Sequence, residues 1–250
     1  MRRWVRFVIL AAAAAVWLAQ LPLAAQVAAK ITASKPIPRV ADGKPDLQGV
    51  WQHPYVPDMS QDRADQKGPG GPLPFTAWGE DNFKSYDVSK FDYTGHCLPF
   101  GLLRSQNVGG YPVQIMQNAK YLTFLFEQSS WFNIVYLDGR GHPKDLDPTW
   151  FGHSIGKWEG DTMVIDTVGF NGKTRLDTLG HPHSDQLHVI QRLTLADADN
   201  MTYEVTIDDP KTYTKPWKNT RRYWRMGPGE EIIEYSCEEN NKDFLEGHIK

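Results

Sequence analysis

Apolar and polar residues alternate through most of the second half of the chain, and that alternation predicts strands. In 187–195, Leu187, Val189, Leu193 and Leu195 share one face; in 201–207, Met201, Tyr203, Val205 and Ile207 do the same. Further β-branched and aromatic runs occupy 121–127, 131–137, 162–167, 220–226 and 231–237. Their connectors are short and polar: Asp197-Ala198-Asp199-Asn200 reads as a turn, and 154–158 with 162–167 flank Glu159-Gly160-Asp161 as a hairpin. Sequential strands without crossover helices predict an all-β fold, an antiparallel meander closing into a barrel, since closure removes exposed strand edges. A β-sandwich is the competing arrangement.

The first half is punctuated differently. Residues 30–45 are rich in Pro and Lys and predict an extended lead-in, after which 45–51 begins an ordered strand and a single domain over 46–250. Gly68-Pro69-Gly70-Gly71-Pro72 sustains neither helix nor sheet, so 61–74 is expected as a flexible loop. Trp78, Phe83 and Tyr86 recur with charged residues at near-helical spacing, predicting one short helix within 76–88.

The amino terminus changes the picture of where the chain works. Arg2, Arg3 and Arg6 precede an alanine-rich apolar run, with small residues at Leu23-Ala24-Ala25 or Val27-Ala28-Ala29. Residues 1–29 are therefore expected as a cleaved export signal, and the break at Gln20 and Pro22 argues against a permanent anchor. The mature protein is expected in the periplasm or outside the cell, without an integral membrane span. Losing the three signal arginines takes the net charge from −3 to about −6, which disfavours nucleic acid as a partner because phosphate neutralisation needs clustered cations. Export also places Cys97 and Cys237 in an oxidising compartment, where a disulfide is expected. The alternative is two buried thiols. Oligomeric state is not legible.

Candidate chemistry concentrates in 138–171. Arg140, His142 and His153 lie there among Gly and Pro, and His181, His183 and His188 follow within the same third of the chain. Imidazole titrates near neutrality and moves protons, so His142, His153 and His183 are expected to form an acid–base site. Arg140 would fix an oxyanion or carboxylate, with Asp138 orienting it or a histidine. Trp51, Trp150, Trp158 and Trp217 are candidate walls of a ligand cavity, each with a place in the core as the alternative. No closely spaced His or Cys set predicts a metal, and no phosphate loop or dinucleotide fingerprint predicts a cofactor. Gly152-His153-Ser154-Ile155-Gly156 matches the pattern of a nucleophile elbow, but a β-hairpin follows instead of a helix, so Ser154 reads as structural. Glu159 and Asp161 at the hairpin tip read as a solvated turn.

Two resemblances add to this. Asp46-Leu47-Gln48-Gly49-Val50-Trp51 resembles the Gly-x-Trp opening strand of lipocalin-like (calycin-type) proteins. Nearly the whole mature chain resembles a widespread, mostly uncharacterised family of exported bacterial proteins. The residues that carry it are Gly95-His96-Cys97-Leu98-Pro99, Asp138-Gly139-Arg140 with His142-Pro143, Gly152-His153-Ser154-Ile155-Gly156, Trp158-Glu159-Gly160-Asp161-Thr162, Gly169-Phe170-Asn171, Pro182-His183-Ser184, and Asp208-Asp209-Pro210 leading to Lys215-Pro216-Trp217. Gly141 stands where that pattern usually has a larger residue, often proline. The resemblance implies one intact domain with a shared site and brings no group-wide reaction.

Together these readings give an expectation: a hollow barrel holding an apolar, aromatic, terpenoid or glycosidic small molecule, with His153, His183, His142 and Arg140 performing cofactor-free lyase, hydratase, isomerase or hydrolase chemistry. A non-catalytic binding or carrier protein with the same pocket is the alternative, and a scaffold or envelope partner, for which a filled barrel without a cavity is expected, is the third possibility.

Overall fold

The computed structural model describes residues 35–107 and 110–239, and from Pro36 onward these belong to one compact unit. The expected export signal lies outside the described residues. Ten strands run β1 (Gly49–Gln52), β2 (Gln66–Lys67), β3 (Val113–Gln117), β4 (Tyr121–Phe126), β5 (Phe132–Tyr136), β6 (His153–Glu159), β7 (Thr162–Val168), β8 (His188–Leu195), β9 (Asn200–Asp208) and β10 (Trp217–Arg225). Nine of them close into a barrel in the order β1-β3-β4-β5-β6-β7-β8-β9-β10, with β10 pairing back onto β1 and β2 lying outside on β10. The all-β barrel expected from the sequence is thus the fold. Within the wall, β5 and β6 run parallel over only two register positions, Val135 with Ser154 and Tyr136 with Ile155. A parallel pair cannot be joined by a tight turn, so the chain returns to the start of β6 through 137–152, the segment that carries Arg140 and His142.

The wall follows from period-two alternation. β8 buries Val189, Gln191, Leu193 and Leu195, while β9 buries Met201, Tyr203, Val205 and Ile207. The β6–β7 hairpin turns through Gly160 at φ +62°, and its tip is ionic: Glu159 pairs with Lys157 and Arg192, and Asp161 with Arg39 of the lead-in. Two glycines explain the Gly-His-Ser-Ile-Gly motif without a nucleophile. Gly152 sits at φ +70° with Val168 O in the place of a Cβ, and a Cβ on Gly156 would meet Val135 and Leu137. Ser154 is buried and bonded to Asn133 and Thr167, a structural role.

The barrel is plugged, which corrects the expectation of an open chamber. Residues 100–107 are buried throughout, including helix α3 (Leu102–Ser105). Gln106 enters the lumen: its side chain accepts from Tyr203 and Gln191, and its carbonyl accepts from Arg221. Because α3 is buried all round, it carries no amphipathic pattern to announce it. Trp51 and Trp217 are core residues of this filled interior.

Three other elements differ from, or refine, the sequence reading. Helix α1 (Ala77–Lys84) falls inside 76–88, capped by Thr76 and braced by the Glu80–Lys84 pair, and is followed by a second short helix, α2 (Val88–Phe91). The 61–74 segment carries β2, and its Gln66 side chain donates to Asp58 O and Gln61 O. Residues 231–237 form no strand, because β1 already occupies the edge of β10 that another strand would need. That tail is held instead by the Cys97–Cys237 disulfide, Cα to Cα 5.6 Å, as export chemistry predicts. No helix among the described residues is long and apolar enough to cross a membrane.

Candidate functional site

The histidines gather on the outside of the wall. His153 alternates with buried Ser154, Asp166 with buried Ile165 and Thr167, and His188 with buried Val189, so all three point away from the lumen. The 137–152 crossover lays His142 over them. His142 Nδ1 lies 2.8 Å from His153 Nδ1, and its Nε2 lies 3.1 Å from Asp166 Oδ1, which also receives His188 Nε2 at 2.9 Å. The result is a continuous chain: His153, His142, Asp166, His188.

Partner chemistry sets the direction of the two bonds to Asp166. An ionised carboxylate only accepts, so His142 Nε2 and His188 Nε2 donate to Asp166. With its Nε2–H given to Asp166, His142 can accept at Nδ1 from a His153 Nδ1–H, and this is the arrangement taken for the site. The lone pair of His153 is thereby placed on Nε2, which makes no hydrogen bond to a described residue. Burial, with smaller contributions from His142 and Arg140, holds the His153 pKa below its ordinary value, so the ring is neutral at neutral pH. The Asp166 bond raises the pKa of His188, and the same bond holds the carboxyl of Asp166 below its usual range.

His153 also faces a cleft. Where β5 and residues 149–152 diverge, a space of about 460 Å³ is lined by Trp131, Phe132, Ile134, Trp150 and Phe151, with His153 and Tyr136 at one end. Phe132 and Ile134 are exposed, an apolar surface that water alone does not favour. The Tyr136 ring stacks on His153 at 5.4 Å and carries the Arg140 guanidinium 4.1 Å from its centroid. On the other side of the chain, Asp166 lines a groove of about 480 Å³ floored by Ile155, Val164 and Ile190.

The structure brings together His142, His153 and Arg140, and it places Trp150 in the aromatic cleft. Asp138 forks onto Arg140 in an exposed pair, the closer contact at 2.5 Å, which orients the guanidinium and offers no proton to the histidines. Trp158 packs against the core and lines a separate groove with Leu137 and Val40. His183 does not join the chain: its Nδ1 donates to Ser184 O and its Nε2 accepts from Thr174, so both ring nitrogens are spent in a buried setting. Among the described residues one further acidic cluster has metal-ligand spacing, Asp58, Asp177 and His181. The oxygens of Asp177 are engaged: they accept from the backbone of Met59, Gly180 and His181 and from His181 Nδ1. Asp166 and His188 are the functional candidates beyond the expected set. The sequence signal for Asp166 was a lone acid inside the β-prone run 162–167.

The His188–Asp166 pair predicts a pH-dependent stability. A raised folded pKa means the His188 contribution is complete below about pH 6.5, its unfolded value, and is lost as pH rises through the folded pKa. The lowered pKa of Asp166 makes its contribution complete above about pH 4 and lost in stronger acid. Thermal melts of wild type and His188→Gln are expected to differ most between these limits and converge in alkali, by an amount on the order of 1 kcal/mol or less, because both partners are partly solvated. An equal difference at all pH values would remove the ion pair from the account.

Fold and site together define a closed nine-stranded barrel that carries a His–His–Asp–His chain beside an aromatic cleft on its outer wall. Comparison with protein-family models, curated proteins and solved structures finds no match.

Proposed function

We propose that the protein is an exported, cofactor-independent acid–base enzyme acting on an apolar or aromatic small molecule held in the cleft between β5 and residues 149–152. The reaction class is proton transfer at carbon or oxygen: a lyase, hydratase, isomerase or hydrolase. The observation that carries this reading is the 2.8 Å contact between two imidazole Nδ1 atoms beside the cleft that His153 lines, because with His153 as its donor the lone pair of that ring is on Nε2.

In this scheme His153 takes a proton at Nε2 from the bound substrate and returns one later. His142, Asp166 and His188 are positioning residues. As His153 gains charge its Nδ1–H becomes a stronger donor to His142, and the Asp166 carboxylate stabilises the developing cation through that ring. Tyr136 fixes the plane of the imidazole. Arg140, held by Asp138 over Tyr136, supplies a cation beside that ring for an oxyanion on the substrate.

The test is mass spectrometry of a hydrophobic metabolite extract incubated with the mature protein or with His153→Ala. The expected result is at least one aromatic or apolar compound consumed by wild type and retained unchanged by the variant. Compounds retained equally by both, with none converted, would replace catalysis with carriage.

A further inference from the structure

We propose that the polar pocket between α1 and the loops at 171–175 and 183–185 binds a small hydroxylated carboxylate, a sugar acid, with Arg175, Lys173 and Lys211 receiving the carboxylate. It shares no residue with the His153 cleft and stands independently of the reaction proposed there.

The pocket measures about 320 Å³ and, Trp78 and Gly172 aside, is lined by polar side chains. Its electrostatics run against those of the chain: three cations and one acid, Asp185, line it, whereas the protein as a whole is net negative. Asp185 stands 3.8 Å from Lys211 and leaves two positive charges without an acid. Lys173 is exposed and makes no ion pair among the described residues.

Arg175 carries the argument further. It is partly buried over the Tyr86 ring, 3.9 Å to the centroid, and burial works against its charge. Its Nη1 donates to the neutral amide oxygen of Asn82 at 2.5 Å, and no described carboxylate comes within ion-pair distance. A neighbouring arginine shows what a satisfied one looks like here: Arg104 takes both oxygens of Asp92, at 2.9 and 2.7 Å. A guanidinium fork left without its carboxylate beside an open polar pocket is suited to a carboxylate from a ligand. The other walls select what that carboxylate is attached to. Asn82 and Asn171 offer amides for hydroxyl groups, and Trp78 gives a half-exposed ring at the rim, with Lys211 4.9 Å from its centroid.

Three sequence motifs that the histidine chain leaves unused converge on this pocket. Gly169-Phe170-Asn171 supplies Asn171, and Pro182-His183-Ser184 supplies the wall at His183 and Ser184. Asp209 of Asp208-Asp209-Pro210 accepts from Ser184 N and Oγ and from Thr212 Oγ1, fixing the loop that carries Lys211.

Isothermal titration calorimetry of the mature protein at low salt, with D-glucuronate, D-glucose and inorganic phosphate as probes, tests this. Glucuronate is expected to bind, glucose to bind far more weakly, and Lys173→Gln with Lys211→Gln to weaken glucuronate by about tenfold or more. Arg175→Gln is expected to weaken it further. The two lysines are surface residues, so their double variant keeps the test valid if Arg175→Gln does not fold. Absence of glucuronate binding, glucose binding as tight as glucuronate, binding of phosphate alone, or an unchanged affinity in the double lysine variant would overturn the proposal.

Discussion

His153→Ala is expected to lower turnover by about 10² to 10⁴ while ligand affinity stays within a few fold, because an acid–base contact acts mainly in the transition state. The aromatic walls that supply affinity, Trp131, Trp150 and Phe151, are untouched by the change. His153 must be neutral to accept a proton, and its pKa lies below the ordinary value. The wild-type rate should therefore rise through an acid limb below about pH 6.5 and then level off. Asp166→Asn separates positioning from packing. Asparagine keeps the shape but ends the accept-only chemistry that orders His142, so it should lower kcat and change the acid limb with little effect on KM. A kcat and pH profile unchanged in Asp166→Asn would reduce the chain to surface packing; a fall in affinity matching the fall in rate for His153→Ala would make His153 a binding residue.

Cys97→Ser or Cys237→Ser is expected to cost about 2–5 kcal/mol of stability, with the barrel still folded. The disulfide closes a loop of 140 residues in sequence separation, for which chain entropy alone gives roughly 5 kcal/mol. Among the described residues the tail beyond β10 is otherwise held by few contacts: Ile233 N donates to Glu127, Ser130 donates to Tyr235 O at 3.4 Å, and Tyr235 meets Tyr111 edge-on. The barrel closes through β10 and β1 before the tail begins, so its sheet signal in circular dichroism should persist while the denaturation midpoint drops. A midpoint equal to wild type in either variant would mean that the bridge adds nothing.

The wall of this protein was legible because β8 and β9 each hide one face, and hiding one face writes a period of two into the sequence. The plug was not. Leu102, Leu103 and Gln106 are buried on every side, and such a segment has no periodicity to read. The side of the wall on which His188 lies was written in the alternation of 187–195, which sets it opposite Leu187 and Val189 and outside the lumen; the side of His153 was not, because 153–158 has no such alternation of apolar and polar residues. Once α3 fills that lumen, the outer face is where polar chemistry can stand. The parallel step from β5 to β6 was likewise silent, since a crossover without a helix looks like a long loop. It is this crossover that brings His142 onto His153. The separation of His183 follows from a local fact that sequence did not give, the burial of Pro182-His183-Ser184 against Asp209 and Thr174.

The direct measurement of the central claim is nitrogen-15 NMR of the histidine side chains at slightly alkaline pH, with His142→Gln and Asp166→Asn as assignment controls. The account predicts a neutral His153 with its proton on Nδ1 and an unprotonated Nε2, and a His142 with its proton on Nε2. A His153 carrying its proton on Nε2, or one protonated at both nitrogens, would contradict it.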